Sequence, residues 1–170
     1  MRSMKLISLI GYSGSGKTFF IEHAIKLLKE NLNLNSGVIK NVYMHLVDIE
    51  GKDSHRFLAK GASFALIKNK FNHHALFFNN AIDFESIIDW IKKGPFEFDI
   101  LFIEGFRNLK IPIILCVNKE EDIEPQISDE VKLISGIITK TDDYPKEYYG
   151  IPIMDIEKNF KLFIKTFEIK

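Results

Sequence analysis

The segment Gly11-Tyr12-Ser13-Gly14-Ser15-Gly16-Lys17-Thr18 most narrows what this chain can fold into. It fits G-x-x-x-x-G-K-[ST] at every position. It also lies between a short apolar run at residues 5–10 and a stretch of helical spacing at residues 17–29. Glycines at positions 11, 14 and 16 permit the positive φ and close backbone approach of a tight strand-to-helix turn. Such a turn aims successive N–H groups at one point beside the positive end of the helix dipole, which makes an anion site. Lys17 then reaches β- and γ-phosphates, and the Thr18 hydroxyl is placed for Mg²⁺. The eight residues are expected to grip a nucleoside triphosphate with its Mg²⁺.

The remaining pattern alternates strands and helices. After the 17–29 helix, with Phe20, Ile21, Ala24, Ile25, Leu27 and Leu28 apolar, residues 37–40 open a second strand. Residues 42–50 are irregular, 54–60 read as a short helix stopped by Gly61, and 63–68 and 74–78 as strands. Residues 83–93 form an amphipathic helix with Asp83 as N-cap and Gly94-Pro95 as its stop. Apolar runs at 99–103, 113–117 and 133–138 are further strands, with 151–153 a short one and 157–167 a closing helix. Strands apolar on both faces and separated by helices predict an α/β fold, a three-layer P-loop NTPase sandwich around a mostly parallel sheet. One nucleotide-binding domain is expected over residues 1–170, with most of the 15 phenylalanines in its core.

Lys+Arg and Asp+Glu both number 23. This balance lacks the basic excess that nucleic-acid or membrane-surface binding needs, and it leaves little self-repulsion to oppose self-association. No apolar stretch approaches the length of a membrane span, and the opening Met1-Arg2-Ser3-Met4 has no signal-peptide pattern. A cytoplasmic location is the expectation. Cys116, the single cysteine, excludes an internal disulfide and reads as a small buried hydrophobe. The adjacent His73-His74 read as structural, whereas His45 and His55 flank a segment that could approach a ligand.

A phosphate loop also needs a carboxylate for Mg²⁺ or its waters, usually at the end of an adjacent apolar strand. Glu104, just after the 99–103 strand, supplies one, and Asp48 and Asp53 flank a second candidate segment. Lys52 and Arg56 could neutralise phosphate oxygens. Guanine is read when a carboxylate accepts from its N1–H and exocyclic amine while a lysine stem packs on the base. Thr139-Lys140-Thr141-Asp142 has that [NT]-K-x-D form after the 133–138 strand. Asn118-Lys119-Glu120-Glu121 is a near match with Glu121 last.

Taken together, GYSGSGKT, Val38-Ile39-Lys40, Asp48…Gly51-Lys52-Asp53-Ser54 with Arg56 and Gly61-Ala62, and Asp99…Glu104-Gly105-Phe106 resemble the molybdopterin-guanine dinucleotide biosynthesis protein B family, MobB. The resemblance runs over nearly the whole chain. It implies a homodimeric GTP-binding protein with slow GTPase activity, an adapter to the MobA-type guanylyltransferase that joins GMP to molybdopterin. By position it gives Gly11–Thr18 to the phosphates, with Lys17 and Glu104 serving catalysis. It also gives Glu104 to the metal or attacking water, beside the metal candidates Thr18 and Asp48 read from the residues themselves, and Gly51, Lys52, Asp53, Ser54 and Arg56 to a nucleotide or pterin. The chain departs from the family after Lys40, where Asn41-Val42-Tyr43-Met44-His45 replaces a histidine-rich stretch. The competing readings are a small-molecule kinase, which usually carries an arginine-rich lid, and a metallochaperone-type GTPase, which needs converging Cys and His. Only Arg2, Arg56 and Arg107 are arginines, so intrinsic turnover is expected to be slow, with Arg56 and Arg107 the candidates for an arginine finger.

Overall fold

In the computed structural model, which describes residues 4–43, 46–141 and 143–170, the apolar runs pair as one parallel sheet. Its strands are β1 (Lys5–Ile10), β2 (Ser36–Lys40), β5 (Ile100–Glu104), β6 (Ile113–Cys116) and β7 (Val131–Ser135). They lie side by side in the order β2-β5-β1-β6-β7, every neighbouring pair parallel. β5 and β6 are buried at every residue, as continuous Ile/Leu/Phe runs demand of strands covered on both faces. β1 sits in the middle with its two neighbours contributed by later chain. That places its C-terminal end in the crevice where α/β sheets receive ligands.

The 16-residue helix α1 (Lys17–Leu32) buries Phe20, Ile21, Ala24 and Leu28. It ends where Asn33 adopts left-handed geometry (φ 51°). Leu34 N–H then donates to the Leu28 carbonyl, a Schellman closure that folds buried Leu34 back onto the core. With the C-terminal helix α4 (Phe160–Thr166), α1 covers the sheet face bearing Ile7, Leu9, Phe102, Ile114 and Leu133. The opposite face, alternate along each strand, carries Ile10, Ile113 and Leu115 and is covered by Ile123, Tyr144 and Ile153. Each buried Phe or Leu contributes about 1.5–3 kcal/mol. The exposed Lys92–Asp89 pair, 4.0 Å apart, contributes at most about 1 kcal/mol. Apolar burial therefore determines the arrangement.

The chain packs as two compact units, Met1–Asn41 with Glu97–Lys170, and Val42–Phe96. The second unit contains α2 (Asp53–Ala59), an antiparallel hairpin of β3 (Ala65–Lys68) and β4 (His74–Phe77), and α3 (Phe84–Lys93). Asp83 caps α3 as expected, its Oδ1 accepting from Ser86 N–H at 2.8 Å.

Four expectations are corrected. The 63–68 and 74–78 strands make a separate two-stranded sheet, because a short polar turn joins them and favours antiparallel pairing. The 133–138 strand ends at Ser135, since Gly136 takes φ 106° and ψ −155° and Ile137–Lys140 turns as a 3-10 helix. The closing helix is Phe160–Thr166 rather than 157–167, because Asp155 Oδ1 accepts from the N–H groups of Glu157 and Lys158 and holds a turn there. Of the phenylalanines, only Phe20, Phe102, Phe163 and Phe167 are buried, whereas Phe57, Phe64, Phe71, Phe78 and Phe96 are exposed.

Candidate functional site

Between β1 and α1 the loop turns as its glycines predict, with Gly11, Gly14 and Gly16 at φ 145°, 75° and 92°. Gly11 is required for space as well as conformation. A Cβ there would overlap the Cys116 carbonyl oxygen at the end of neighbouring β6. Gly16 is the N-cap of α1 and has no side chain to satisfy the first-turn N–H groups, and that turn holds no acidic residue. The helix thus presents uncapped donors and its positive dipole end to an anion. Ser15 Oγ is buried in the loop without a hydrogen-bond partner, a costly arrangement unless a polar ligand atom reaches it.

Lys17 Nζ donates to the Gly11 and Tyr12 carbonyls at 3.0 and 2.8 Å, which holds the ammonium over the loop. Burial pushes its pKa below the ordinary lysine value, while the charge of Glu104 pulls it back up. Glu104 is 6% exposed. Thr18 Oγ1 donates to its Oε1 and Oε2 at 3.2 and 3.3 Å. The two residues expected to serve Mg²⁺ therefore stand together at the loop. A hydroxyl and a carboxylate oxygen about 3 Å apart suit adjacent positions of the small octahedral all-oxygen shell that Mg²⁺ prefers. Among the described residues no three His, Cys, Asp or Glu cluster as a metal site, so a cation here would draw its remaining ligands from phosphate and water.

Lys40 completes this corner. Its Nζ lies 3.2 Å from Glu104 Oε1 and donates to Thr18 Oγ1 at 3.2 Å. Arg107 donates to Gln126 Oε1 at 3.2 Å through both Nη atoms and to the Gly11 carbonyl at 3.4 Å, its guanidinium 5.8 Å from the Tyr12 ring. Arg107, one of the two candidate arginines, thus stands beside the loop. Cys116, fully buried, has its thiol pushed up to about 12, chiefly by desolvation. It stays protonated at neutral pH and supplies no nucleophile.

The turn after β7 packs on the other side of the loop. Ile137 N–H donates to the Ser15 carbonyl at 3.2 Å, and Gly136 approaches Ser15 so closely that any Cβ would overlap its carbonyl oxygen. Lys140 is carried on this turn. Its Nζ reaches Asp155 Oδ2 at 3.3 Å and Glu157 Oε2 at 3.5 Å, and stands 3.8 Å from the Phe19 ring centroid. Asp142 lies outside the described residues. Glu121 is on an exposed 3-10 turn, ion-paired with Lys119 at 3.9 Å.

The expected second-ligand residues belong to the unit spanning Val42–Phe96. There Asp48 Oδ1 accepts from Ser54 Oγ at 2.9 Å and from Ile49 N–H at 2.8 Å. Arg56 pairs with Asp53 at 3.5 Å, Gly51 takes φ 82°, and Lys52 is the N-cap of α2. Sequence reasoning missed the roles of Lys40, Gly136, Phe19 and Asp155. Only Lys40 carried a signal, as the end of the Val-Ile-Lys strand.

The model of the molybdopterin guanine dinucleotide synthesis protein B family, MobB, matches residues 6–140. A molybdopterin-guanine dinucleotide biosynthesis adapter protein of Methanocaldococcus jannaschii is 30% identical, over 96% of this chain and 72% of its own length. A relative of the same description from Bacillus subtilis is 27% identical, over 90% and 86%. Among solved structures, Bacillus subtilis MobB superposes with a TM-score of 0.76 at 24% identity, covering 98% of this chain and all of its own. The MobB homologue of Bacillus stearothermophilus gives 0.67 at 15%, covering 96% and 98%, and these two likenesses establish the fold. The chain belongs to the MobB family.

Proposed function

We propose that this protein is a GTP-binding adapter in the attachment of GMP to molybdopterin, working beside a MobA-type guanylyltransferase. The observation that carries the nucleotide reading is the meeting of Lys17, the uncapped α1 N-terminus and the Thr18–Glu104 pair at one loop. The adapter role comes from relatives that bear that description. In this reading residues 1–170 form one nucleotide-binding domain located in the cytoplasm. Among the described residues no helix is long and apolar enough to cross a membrane.

The loop N–H groups and Lys17 hold the phosphates, and Thr18 and Glu104 would hold Mg²⁺, which supplies charge neutralisation at the phosphoryl oxygens. Glu104 also orients a water at the γ-phosphate. Arg107 is already engaged by Gln126 and the Gly11 carbonyl, so hydrolysis without a partner stays slower than about 1 s⁻¹. Within the second unit, Gly51, Lys52, Asp53, Ser54 and Arg56 remain the proposed residues for nucleotide or molybdopterin, with Asp48 beside them as a candidate metal ligand.

Lys140, standing beside the loop against Phe19, favours the 139–142 segment over Glu121 as the guanine reader. Asp142→Asn should then weaken GTP at least about 10-fold while leaving ATP unchanged, since a lost charge-assisted pair is worth about 1.5–3 kcal/mol. Titration of GTP and ATP with and without Mg²⁺ tests this, and equal losses for both nucleotides would remove Asp142 from the role. A wild-type preference for ATP would move the reading to a small-molecule kinase.

Homodimerisation is supported by apolar surface in the second unit. Phe64, Leu76, Phe78, Ile82 and Trp90 line a groove of about 550 Å³, largely apolar and open to solvent. Sedimentation equilibrium at micromolar concentration should return twice the 19.7 kDa chain mass, and a persistent monomer would withdraw the dimer.

A further inference from the structure

We infer that Lys40 is a built-in counter-cation of the phosphate site, one that lets the loop hold a nucleoside polyphosphate without a divalent metal and competes with Mg²⁺ for the same oxygens. The inference rests on the nucleotide reading above. Its first support is the sheet register. Along the β2–β5 ladder Lys40 is paired directly with Glu104, just as Val38 is with Phe102. Asn41 N–H donates to the Glu104 carbonyl at 2.9 Å, so backbone bonds hold Lys40 beside this carboxylate whatever its side chain does.

The second support is the economy of donors and lone pairs. The Glu104 side chain is 8% exposed, and a carboxylate so buried needs a cation. Lys40 supplies it at 3.2 Å. Thr18 Oγ1 spends its one hydrogen on Glu104 and accepts from Lys40 Nζ. A divalent metal on the second lone pair of Thr18 Oγ1, or on Glu104 Oε1, would be crowded against the Lys40 ammonium that both oxygens already hold at 3.2 Å. The two like charges therefore repel and compete for these two atoms. The Lys40 side chain is 48% exposed on a flexible four-carbon stem. Once displaced, it can turn to phosphate oxygens rather than be lost from the site.

The third support is the balance of charge around the loop. Lys17, Lys40 and Arg107 reach the loop or its threonine, and Glu104 bonds the same threonine. A triphosphate meets enough positive charge here to bind before any metal arrives. The consequence is a nucleotide affinity that depends weakly on Mg²⁺ and a Mg²⁺ requirement shifted to higher concentration.

The experiment measures binding of a fluorescent GTP analogue in EDTA and across a Mg²⁺ series, for wild type, Lys40→Met and Lys40→Arg. Wild type should bind in EDTA within about 10-fold of its affinity at saturating Mg²⁺. Lys40→Met should lose about 10-fold or more in EDTA, roughly one charge-assisted hydrogen bond. It should bind within about 3-fold of wild type at saturating Mg²⁺ and saturate at lower Mg²⁺. Lys40→Arg should restore metal-free binding. An unchanged Mg²⁺ dependence in Lys40→Met, or equal losses with and without the metal, would overturn the inference while leaving the nucleotide reading intact. Wild type that binds only with Mg²⁺ would overturn it without any variant. Wild type that binds no nucleotide under either condition ends both.

Discussion

Lys17→Ala should lose tight GTP binding, by about 100-fold or more, and keep its fold. The ammonium stands over the loop on the Gly11 and Tyr12 carbonyls. From there it can exchange those two bonds for phosphate oxygens without rearranging the backbone. Charge-assisted hydrogen bonds contribute about 1.5–3 kcal/mol each, and two of them account for the predicted loss. Stability should change little, because burial already disfavours the charged form of this lysine, as its lowered pKa records. Thermal shift reads both halves of the prediction. Ligand at 100 times its dissociation constant stabilises wild type by about 2.7 kcal/mol, worth roughly 5–11 °C for a chain of this size. The variant should melt near the wild-type temperature without GTP and gain at most about 0.4 kcal/mol from its addition. An unchanged shift would take the site away from this loop.

Gly136→Ala should be among the most damaging single-methyl additions in the first unit. Two costs coincide at this position. The backbone sits at φ 106°, where an L side chain is strained by about 1–3 kcal/mol. The added Cβ would overlap the Ser15 carbonyl and lie 2.8 Å from both N and O of Val117. These are backbone atoms of the loop and of the segment following β6, so none can swing aside as a side-chain end would. A loss of about 3–5 kcal/mol is expected, together with weaker GTP binding, because the Ser15 carbonyl that accepts from Ile137 must move. Gly150→Ala is the control. Its φ is 78° but nothing lies within 4 Å of the added atom, so it should suffer the strain alone. Urea melts of the two variants separate the terms, and equal midpoint shifts would show that the close approach is unimportant.

Legibility in the sequence followed the range of the interaction. The loop, α1 and the fully apolar β5 and β6 were readable because their signals are local: glycines at fixed offsets, 3.6-residue spacing and unbroken Ile/Leu/Phe runs. Glu104 was found because it closes such a run. Residues 133–138 misled because Leu-Ile-Ser-Gly-Ile-Ile is as apolar past the glycine as before it. Only the packing of Ser15 against Gly136 shows why the strand must stop. Lys40 went unassigned because β2 neighbours β5 rather than β1, and strand order is not written in either strand. The phenylalanines of residues 42–96 read as core by composition, and a two-stranded hairpin has too little interior to bury them.

The strand order also sets when the site can come into being. β1 is made first, yet both of its partners are made late; Ser8 bonds to Ile103, 95 residues further on. During synthesis, at roughly 5–20 residues per second, Lys5–Ile10 emerges well before β5 exists. The turn that supports the loop arrives later still, with Gly136 and Ile137. Until β5 and β6 follow, the inward face of α1 has only β1 and Leu34 among its buried neighbours. Folding should accordingly be slow for the chain's length, as non-local parallel pairing imposes, and a nucleotide can meet the completed loop only once Gly136 and Ile137 have been made. Bound nucleotide would then report that synthesis has passed residue 140, and would withdraw the completed sheet from competition with aggregation.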